Sequence, residues 1–380
     1  MLRSRTAGGN SPTIFRRCAT RSIRKKTFGN LRYRDRREND KEQDIMGRAR
    51  EMNSFPLPRY VQLYPTNRCN QSCAFCFNDR TSPVRDLSPQ DALNLLDILC
   101  NLGIRDLDIM GGEPFLLPWM PSFLHAAMKE DILVNISTNG STPDVFGEFR
   151  GVSPEKINIG ISLEGSTADA HNRLTHSDNY DKAISSIASL VSCELGPIVK
   201  TVVSRLNMQD IQPIIDLLKD LGVNRYYLIQ MDLFSREPLD RINAPGFVEF
   251  RRFCDAVIER NSGIRIDKVN ASCFEKDILP KGVRCAGGVR KLSVMPDGSV
   301  YPCNLFQSMP EFNLGNVFVD DFTDIWNHPA LLFFRRAVHN ECGKECVNHH
   351  NCTGGCPAHG IFHSQDNKVG DIRCLQDAAL

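Results

Sequence analysis

The chain has 380 residues, of which 41% are hydrophobic and 24% charged, and its formal net charge is +1. This length is enough for two domains with separate cores. A nearly neutral chain without a long apolar run gives no indication of a nucleic-acid partner or a membrane span. No secretory signal opens the chain, and clustered thiols are typical of metal sites in a reducing compartment, so we expect a cytoplasmic protein.

Residues 1–54 are basic in composition. The first 37 residues carry 12 Lys or Arg and a single acid, Asp35. This composition predicts a disordered leader, or an upstream start codon with the true start near Met46 or Met52. A transit peptide has the right charge but needs a better apolar face, and a nucleic-acid arm lacks interleaved aromatic residues.

Residues 55–270 alternate short apolar strands with amphipathic helices. The predicted strands are residues 60–65, 107–110, 133–137, 157–162, 198–203 and 226–230, and the predicted helices are residues 89–102, 210–221 and 244–259. Strands and helices in this order predict a parallel sheet covered by helices, that is, a partial (β/α)6 TIM-like barrel of the α/β class. Chemistry in such barrels lies at the C-terminal ends of the strands.

Residues 271–380 follow a different pattern. Residues 291–302 predict a β-hairpin around Pro296, Asp297 and Gly298, and residues 322–339 predict a helix. The rest is rich in Gly and Cys with little apolar periodicity, so we expect bound metal to stabilise this small domain.

The 15 cysteines are clustered, and the first cluster follows the first predicted strand. Cys69, Cys73 and Cys76 form a C-x3-C-x2-C array, and three close thiolates suit zinc or an iron–sulfur cluster. A structural zinc site requires four ligands, and no fourth Cys or His lies within ten residues. The spacing therefore favours an iron–sulfur cluster with three protein ligands and one open iron.

Three more motifs follow predicted strands. They are the MGGEP run from Met110, the STNG run from Ser137 and the ISLEG run from Ile161. With the cysteine array and the aromatic Phe75 before its third cysteine, they resemble the radical SAM (S-adenosylmethionine) superfamily. The resemblance implies a [4Fe–4S] cluster whose open iron binds SAM and whose electron cleaves SAM to a 5′-deoxyadenosyl radical.

The resemblance also implies which side chains hold the cofactors. Cys69, Cys73 and Cys76 would bind the cluster. Gly111 and Gly112 would allow the methionine moiety of SAM to approach the backbone, and Glu113 would accept from its ammonium. The remaining implied contacts to SAM are Phe75, Ser137, Asn139, Ser162 and Arg173. Arg173 lies two residues nearer to His171 than the family pattern leads us to expect.

The C-terminal cysteines resemble the SPASM extension of radical SAM peptide-modifying enzymes, which implies two auxiliary [4Fe–4S] clusters. The first implied ligand set is Cys342, Cys346, Cys352 and Cys374. The second is Cys285, Cys303 and Cys356, with Cys273 as a candidate fourth ligand. The spacing between Cys342 and Cys346 is one residue longer than the family form. Zinc knuckles in a non-catalytic binding module are the alternative for this array.

The resemblance implies an oxidoreductase or maturase that abstracts hydrogen from a ribosomal peptide or a protein side chain. The same chemistry on a small molecule, such as an amino sugar or a haem precursor, is the alternative. Asp232, just beyond the sixth predicted strand, is the candidate for proton removal. An electron donor such as flavodoxin or ferredoxin is the other expected partner.

Overall fold

The computed structural model describes residues 55–78, 83–234, 243–275, 279–336, 348, 352–364 and 371–376. The predicted leader, Cys342 and Cys346 lie outside these residues. Within them the strands are β1 Tyr60–Leu63, β2 Asp106–Ile109, β3 Leu133–Thr138, β4 Ile157–Ser162, β5 Ile198–Val203, β6 Arg225–Gln230, β7 Arg265–Val269, β8 Lys291–Val294 and β9 Val300–Tyr301.

The strands form one sheet in the order β7-β6-β5-β4-β3-β2-β1-β8-β9. All neighbours run parallel except β9, which pairs antiparallel with β8. Because β7 and β9 stand at opposite ends of this order, the sheet is open rather than closed. The predicted fold class is therefore confirmed, and the structure adds a seventh parallel strand, β7, that the apolar pattern did not single out.

Helices connect the parallel strands. They are α1 Pro89–Leu102, α2 Met120–Lys129, α3 Ala168–Thr175, α4 Tyr180–Ser192, α5 Ile211–Asp220 and α6 Phe247–Arg260, followed in the C-terminal region by α7 Phe322–Trp326, α8 Leu332–Arg335, α9 Pro357–Ser364 and α10 Ile372–Gln376. The first begins as its sequence predicts, because the Ser88 side chain accepts a hydrogen bond from the Asp91 amide. It ends at Gly103, whose φ of 74° is in the left-handed region.

The predicted hairpin is confirmed, but it is not separate from the barrel sheet. Strand β8 pairs in parallel with β1 along its whole length. One contiguous cluster of buried side chains extends from Val61 on β1 to Phe334 on α8. The domain boundary between residues 270 and 271 therefore stays a prediction.

The single helix predicted over residues 322–339 is wrong in the part that the structure describes. Helix α7 ends at Trp326, a 3-10 turn covers Pro329–Leu331, and α8 follows. His328 has extended backbone angles, with φ of −60° and ψ of 135°. A residue before proline is disfavoured in the helical region, so Pro329 breaks the helix.

The strands of the barrel alternate between apolar residues that face the helices and polar residues that face inward. On the outer side, α5 buries Ile211, Ile214, Ile215 and Leu218 completely. On the inner side, the polar positions enclose a cavity of about 890 Å³. Among the described residues, no helix is long and apolar enough to cross a membrane.

Candidate active site

The first cysteine array lies on the loop after β1. Cys69, Cys73 and Cys76 all line the 890 Å³ cavity. Two of the three residues, Cys69 and Cys76, are exposed, and Cys73 is half-buried. The end of α3 holds this loop, because the Ala74 amide donates to the Leu174 carbonyl at 2.9 Å. The backbone therefore presents three thiols to one cavity.

The two glycines of the MGGEP run pack against the residues that precede Cys69. The Gly112 amide donates to the Thr66 carbonyl at 2.8 Å. A Cβ on Gly112 would lie 1.9 Å from the Arg68 carbonyl oxygen. Gly111 has a φ of 131°, which side chains rarely allow, and it also lines the cavity. Only glycine fits at these two positions, and its missing side chains leave the backbone open to a ligand.

Glu113 is buried beneath the motif and does not line the cavity. Its carboxylate accepts from the Thr138 hydroxyl at 2.7 Å, the Asn139 amide at 2.7 Å and the Phe115 amide at 3.1 Å. Burial raises the pKa of Glu113 to about 6, although these three hydrogen bonds lower it. In the structure, Glu113 joins the ends of β2 and β3, and its contact with the ammonium of SAM stays a prediction.

The other predicted SAM contacts lie around the same cavity, with one exception. Phe75, Ser137, Asn139 and Ser162 all line it. The Asn139 side chain donates to the Asn70 side chain at 2.7 Å, which ties the STNG run to the cysteine loop.

Arg173 is the exception. Its side chain is 62% exposed and forms a 3.8 Å ion pair with Asp169, one turn away on α3. It is absent from the cavity lining among the described residues. The structure therefore does not bring Arg173 to the predicted SAM site.

Sequence reasoning missed the charged side chains inside the barrel. Those that line the cavity from the strands, or from just beyond a strand end, are Asp106, Asp108, Glu164, Lys200, Arg225 and Lys291. The signal was a polar residue at every second position, as in the DLDI of β2.

Two of these residues show how burial changes their ionisation. The Lys200 ammonium donates to Ser137 at 2.7 Å, and burial lowers the pKa of Lys200. Glu164 is 1% exposed, and burial raises its pKa to about 8, although the Val202 amide donates to it. Glu164 is therefore mostly protonated at neutral pH.

Four auxiliary thiols are neighbours. The Cys273 thiol forms a hydrogen bond with Cys356 and is fully buried. Burial raises the pKa of Cys285, and the nearby Cys356 and Cys303 thiolates raise it further. Burial likewise raises the pKa of Cys303. Four neighbouring thiols, two buried and two half-buried, fit a four-thiolate iron–sulfur cluster, and ligation by Cys273 stays a prediction.

The other predicted set is described only in part. Cys352 and Cys374 are both half-buried. The Cys352 sulfur accepts from the Gly354 and Gly355 amides, as cluster ligands often do. Ligation by these two and by Cys342 and Cys346 stays a prediction.

Asp232 lines the cavity and belongs to a buried charge network. Its Oδ1 accepts from the Arg373 guanidinium at 2.9 Å and lies 3.5 Å from His359 Nε2. Arg373 also pairs with the buried Asp371 at 2.8 Å. Burial raises the pKa of Asp232, which Arg373 partly offsets.

This network also explains a second potential metal site. Donor atoms of Cys356, His359 and Asp371 lie within 4.8 Å of one another. Because the Asp371 carboxylate is already paired with Arg373, and Cys356 with Cys273, we assign these groups to the charge network and the thiol cluster. The network links the loop after β6 to helices α9 and α10.

An open set of three thiols beside a glycine-lined cavity, with a more deeply buried set of four thiols nearby, is the arrangement of a radical SAM enzyme with auxiliary clusters. The family model for the radical SAM superfamily matches residues 63–218, and the one for an iron–sulfur cluster-binding domain, SPASM, matches residues 285–354. The chain belongs to the radical SAM superfamily and carries a SPASM domain. Its cofactors are a [4Fe–4S] cluster, SAM and auxiliary iron–sulfur clusters.

Curated relatives include two proteins of peptide biosynthesis. The antilisterial bacteriocin subtilosin biosynthesis protein AlbA of Bacillus subtilis is 26% identical over 324 residues, which is 81% of this chain and 69% of that protein. The PqqA peptide cyclase of Ruegeria pomeroyi is 23% identical over 340 residues, which is 86% of this chain and 90% of that protein.

Solved structures share the fold. SuiB of Streptococcus suis, bound to its precursor peptide SuiA, superposes with a TM-score of 0.72 at 18% identity, over 92% of this chain and 83% of that one. The enzyme anSMEcpe with bound SAM has a TM-score of 0.64 at 19% identity, over 84% of this chain and 94% of that one. At these identities the likeness shows the fold alone.

Proposed function

We propose that this chain is a maturase that abstracts hydrogen from a ribosomal peptide or a protein side chain. Three relatives support a peptide substrate by their names: the bacteriocin biosynthesis protein AlbA, the PqqA peptide cyclase and SuiB with its precursor peptide. A cavity of about 890 Å³ is large enough for a cofactor together with part of a peptide.

One observation carries the proposal. The cavity that holds the three thiols of the first array also reaches the auxiliary thiol set. Its lining includes Ser272, Ala286 and Asn304, each next in sequence to an auxiliary cysteine. A substrate in this cavity would therefore lie between the site of radical formation and an electron acceptor.

The chain's own residues then have distinct tasks. When the cluster is bound by Cys69, Cys73 and Cys76, it supplies the electron that cleaves SAM. Gly111 and Gly112 leave space for the methionine moiety beside the backbone. Phe75 and Ser162, which line the cavity, would flank the nucleoside part of SAM. These assignments are residue-level proposals that mutation can test one at a time.

We propose Asp232 as the group that accepts a proton from the substrate radical or its product. Its contacts with described residues are made through Oδ1, which leaves Oδ2 as the atom for that proton. The Arg373 guanidinium orients the carboxylate, as the partner of a general base does. Replacement by Asn should leave SAM cleavage in place and slow product formation.

The natural reductant in this proposal is flavodoxin or ferredoxin, and the enzyme works in the reducing cytoplasm, where its thiols stay available for iron. We also propose that residues 1–54 are a basic leader and that the C-terminal domain holds two auxiliary clusters.

The test is anaerobic incubation of the iron-reconstituted protein with SAM and dithionite. We expect release of 5′-deoxyadenosine, and a deuterated ribosomal peptide that serves as substrate should transfer deuterium into it. Deuterium transfer only from an amino sugar or a haem precursor would favour the small-molecule alternative. Protein that contains zinc without sulfide, and releases no 5′-deoxyadenosine, would contradict the enzyme proposal.

A further inference from the structure

Lys291 is a cavity lysine without a carboxylate partner. It begins β8, opposite Tyr60 on β1, and its side chain lines the cavity. Its ammonium donates to the Gln62 side chain at 3.1 Å. In the described part of the chain, it forms no ion pair with an acid. A buried ammonium is costly without negative charge nearby, so the question is what compensates it.

The strand register gives the first answer. Strands β8 and β9 pair Ser293 with Tyr301 and Val294 with Val300. This ladder ends before Lys291, which pairs instead with Gly287, two residues after Cys285. A Cβ on Gly287 would lie 3.5 Å from the Cβ of Cys303, so only a glycine stands between the lysine and that cysteine.

Hydrogen bonds show that the two chain segments remain adjacent at this point. The Gly288 amide contacts the Lys291 carbonyl at 2.9 Å and the Pro302 carbonyl at 3.2 Å. The segment of Gly287 and Gly288 therefore joins Lys291 to the residues around Cys303.

Electrostatics give the second answer. Burial lowers the pKa of Lys291, but the nearby Cys303, Tyr60, Cys285 and Asp108 together raise it by more. The effect is reciprocal, because Lys291 lowers the pKa of Cys303. Lys291 and these auxiliary cysteines are therefore close enough for the charge of one to act on the other.

The other cavity lysine has different surroundings. Lys200 donates to Ser137, on the opposite part of the sheet from β8. Its pKa is lowered by burial and by Arg225, and no auxiliary thiolate contributes. Lys200 is thus a matched control for a charge in the same cavity that does not face the auxiliary thiols.

We propose that Lys291 is a positioning residue that raises the reduction potential of the auxiliary cluster held by Cys273, Cys285, Cys303 and Cys356. Reduction adds one electron to that cluster, from the substrate radical in turnover or from dithionite in a titration. A fixed positive charge favours the more negative, reduced state, most strongly where little water screens it. This inference rests on the proposed function, since it assigns a cluster to the four thiols.

The test is a redox titration followed by electron paramagnetic resonance. The parent protein carries Cys69→Ala, Cys73→Ala and Cys76→Ala, so that only auxiliary clusters contribute signals. We compare it with the same protein carrying Lys291→Met, Lys291→Gln, Lys291→Arg or Lys200→Met. Iron and sulfide contents are matched before each titration.

Lys291→Met and Lys291→Gln should each lower the equilibrium constant for reduction of one auxiliary cluster at least tenfold. For one electron, this is a fall in midpoint potential of about 59 mV or more. Lys291→Arg and Lys200→Met should stay near the parent. If Lys291→Met binds too little iron, the titration of Lys291→Gln decides the test, because glutamine can keep a hydrogen bond to Gln62.

An unchanged midpoint in the neutral variants would overturn the inference. The proposed function is tested apart from it, by 5′-deoxyadenosine release from the protein with all its cysteines. Release with unmoved midpoints defeats only the role of Lys291, and absence of release defeats the proposed function.

Discussion

The two cysteine regions differ in how far they are enclosed. In the first array, Cys69 and Cys76 are exposed at the cavity. In the auxiliary set, Cys273 is 0% exposed and Cys356 is 6% exposed, while Cys285 and Cys303 are half-buried. A site that must admit a cofactor and a substrate keeps its ligands on an open loop. A site that exchanges only electrons can be enclosed in the core, where low polarity strengthens every nearby charge.

The two regions also differ in what holds them. The first loop is held by backbone hydrogen bonds to the glycine motif and to α3. The auxiliary region lies beside buried charges, among them Arg373 and Asp371. We therefore expect mutations at the first region to affect chemistry first, and mutations at the second to affect stability first.

The largest effect on chemistry should come from Cys73→Ala. This change removes one of three ligands from the open array, so release of 5′-deoxyadenosine should fall below detection, with about four irons fewer per chain. Chromatography of the nucleoside and iron analysis measure both. Cys193→Ala, a buried thiol that donates to the Phe146 carbonyl, is the control and should keep activity. Equal activity in both variants would contradict the assignment.

Arg373→Met should cause the largest loss of stability. It leaves Asp371, which is fully buried, and Asp232 without their cation, so the free energy of unfolding should fall by about 3–5 kcal/mol. Denaturant unfolding of the anaerobic holoprotein measures it. Arg265→Met, which breaks an exposed pair with Asp267, should leave stability close to wild type. A similar loss in both variants would show that the buried network contributes no more to stability than an exposed ion pair.

Gly112→Ala should have an intermediate effect. The new Cβ overlaps the Arg68 carbonyl, so the cysteine loop must shift, at a cost of about 1–3 kcal/mol and with weaker SAM binding. Equilibrium dialysis with SAM and unfolding curves report the two effects. Gly147→Ala, where a Cβ meets nothing within 4 Å, should change neither. Normal SAM affinity in the Gly112 variant would show that the glycine motif is not part of the SAM-binding site.

The smallest predicted effect depends on pH. Because the pKa of Glu164 is raised from 4.5 to about 8, the folded state holds its proton more tightly than the unfolded state. Its contribution to stability is full below pH 4.5 and is lost as the pH rises through about 8. Relative to Glu164→Gln, wild type should therefore lose about 1.4 kcal/mol between pH 6 and 7.

A second carboxyl group sharpens this test. The pKa of Glu113 is raised only to about 6. The stability that the wild type loses relative to Glu113→Gln as the pH rises should therefore be nearly all lost by pH 7. Unfolding at a series of pH values separates the two windows. A flat difference for Glu164 across pH 5–8 would show that this carboxyl is ionised in the folded protein.

Much of the fold could be predicted from local pattern. Strand β5 and helix α1 follow from apolar alternation and from the Ser88 cap, which depend on neighbours in sequence. Contacts between distant residues could not be predicted in this way. Arg373 and Asp232 are 141 residues apart, and Lys291 meets Gln62 across 229 residues. The motifs located the first array, whereas Arg173, expected at the site, is exposed on α3.

The central claim is that the open three-thiol array binds SAM directly through a vacant iron. Electron–nuclear double resonance on the reduced protein, with SAM carrying ¹⁵N in its amino group, tests this most directly. We expect a ¹⁵N hyperfine coupling that disappears in Cys73→Ala and persists in Cys303→Ala. SAM that binds with no such coupling in the wild-type protein would contradict the claim.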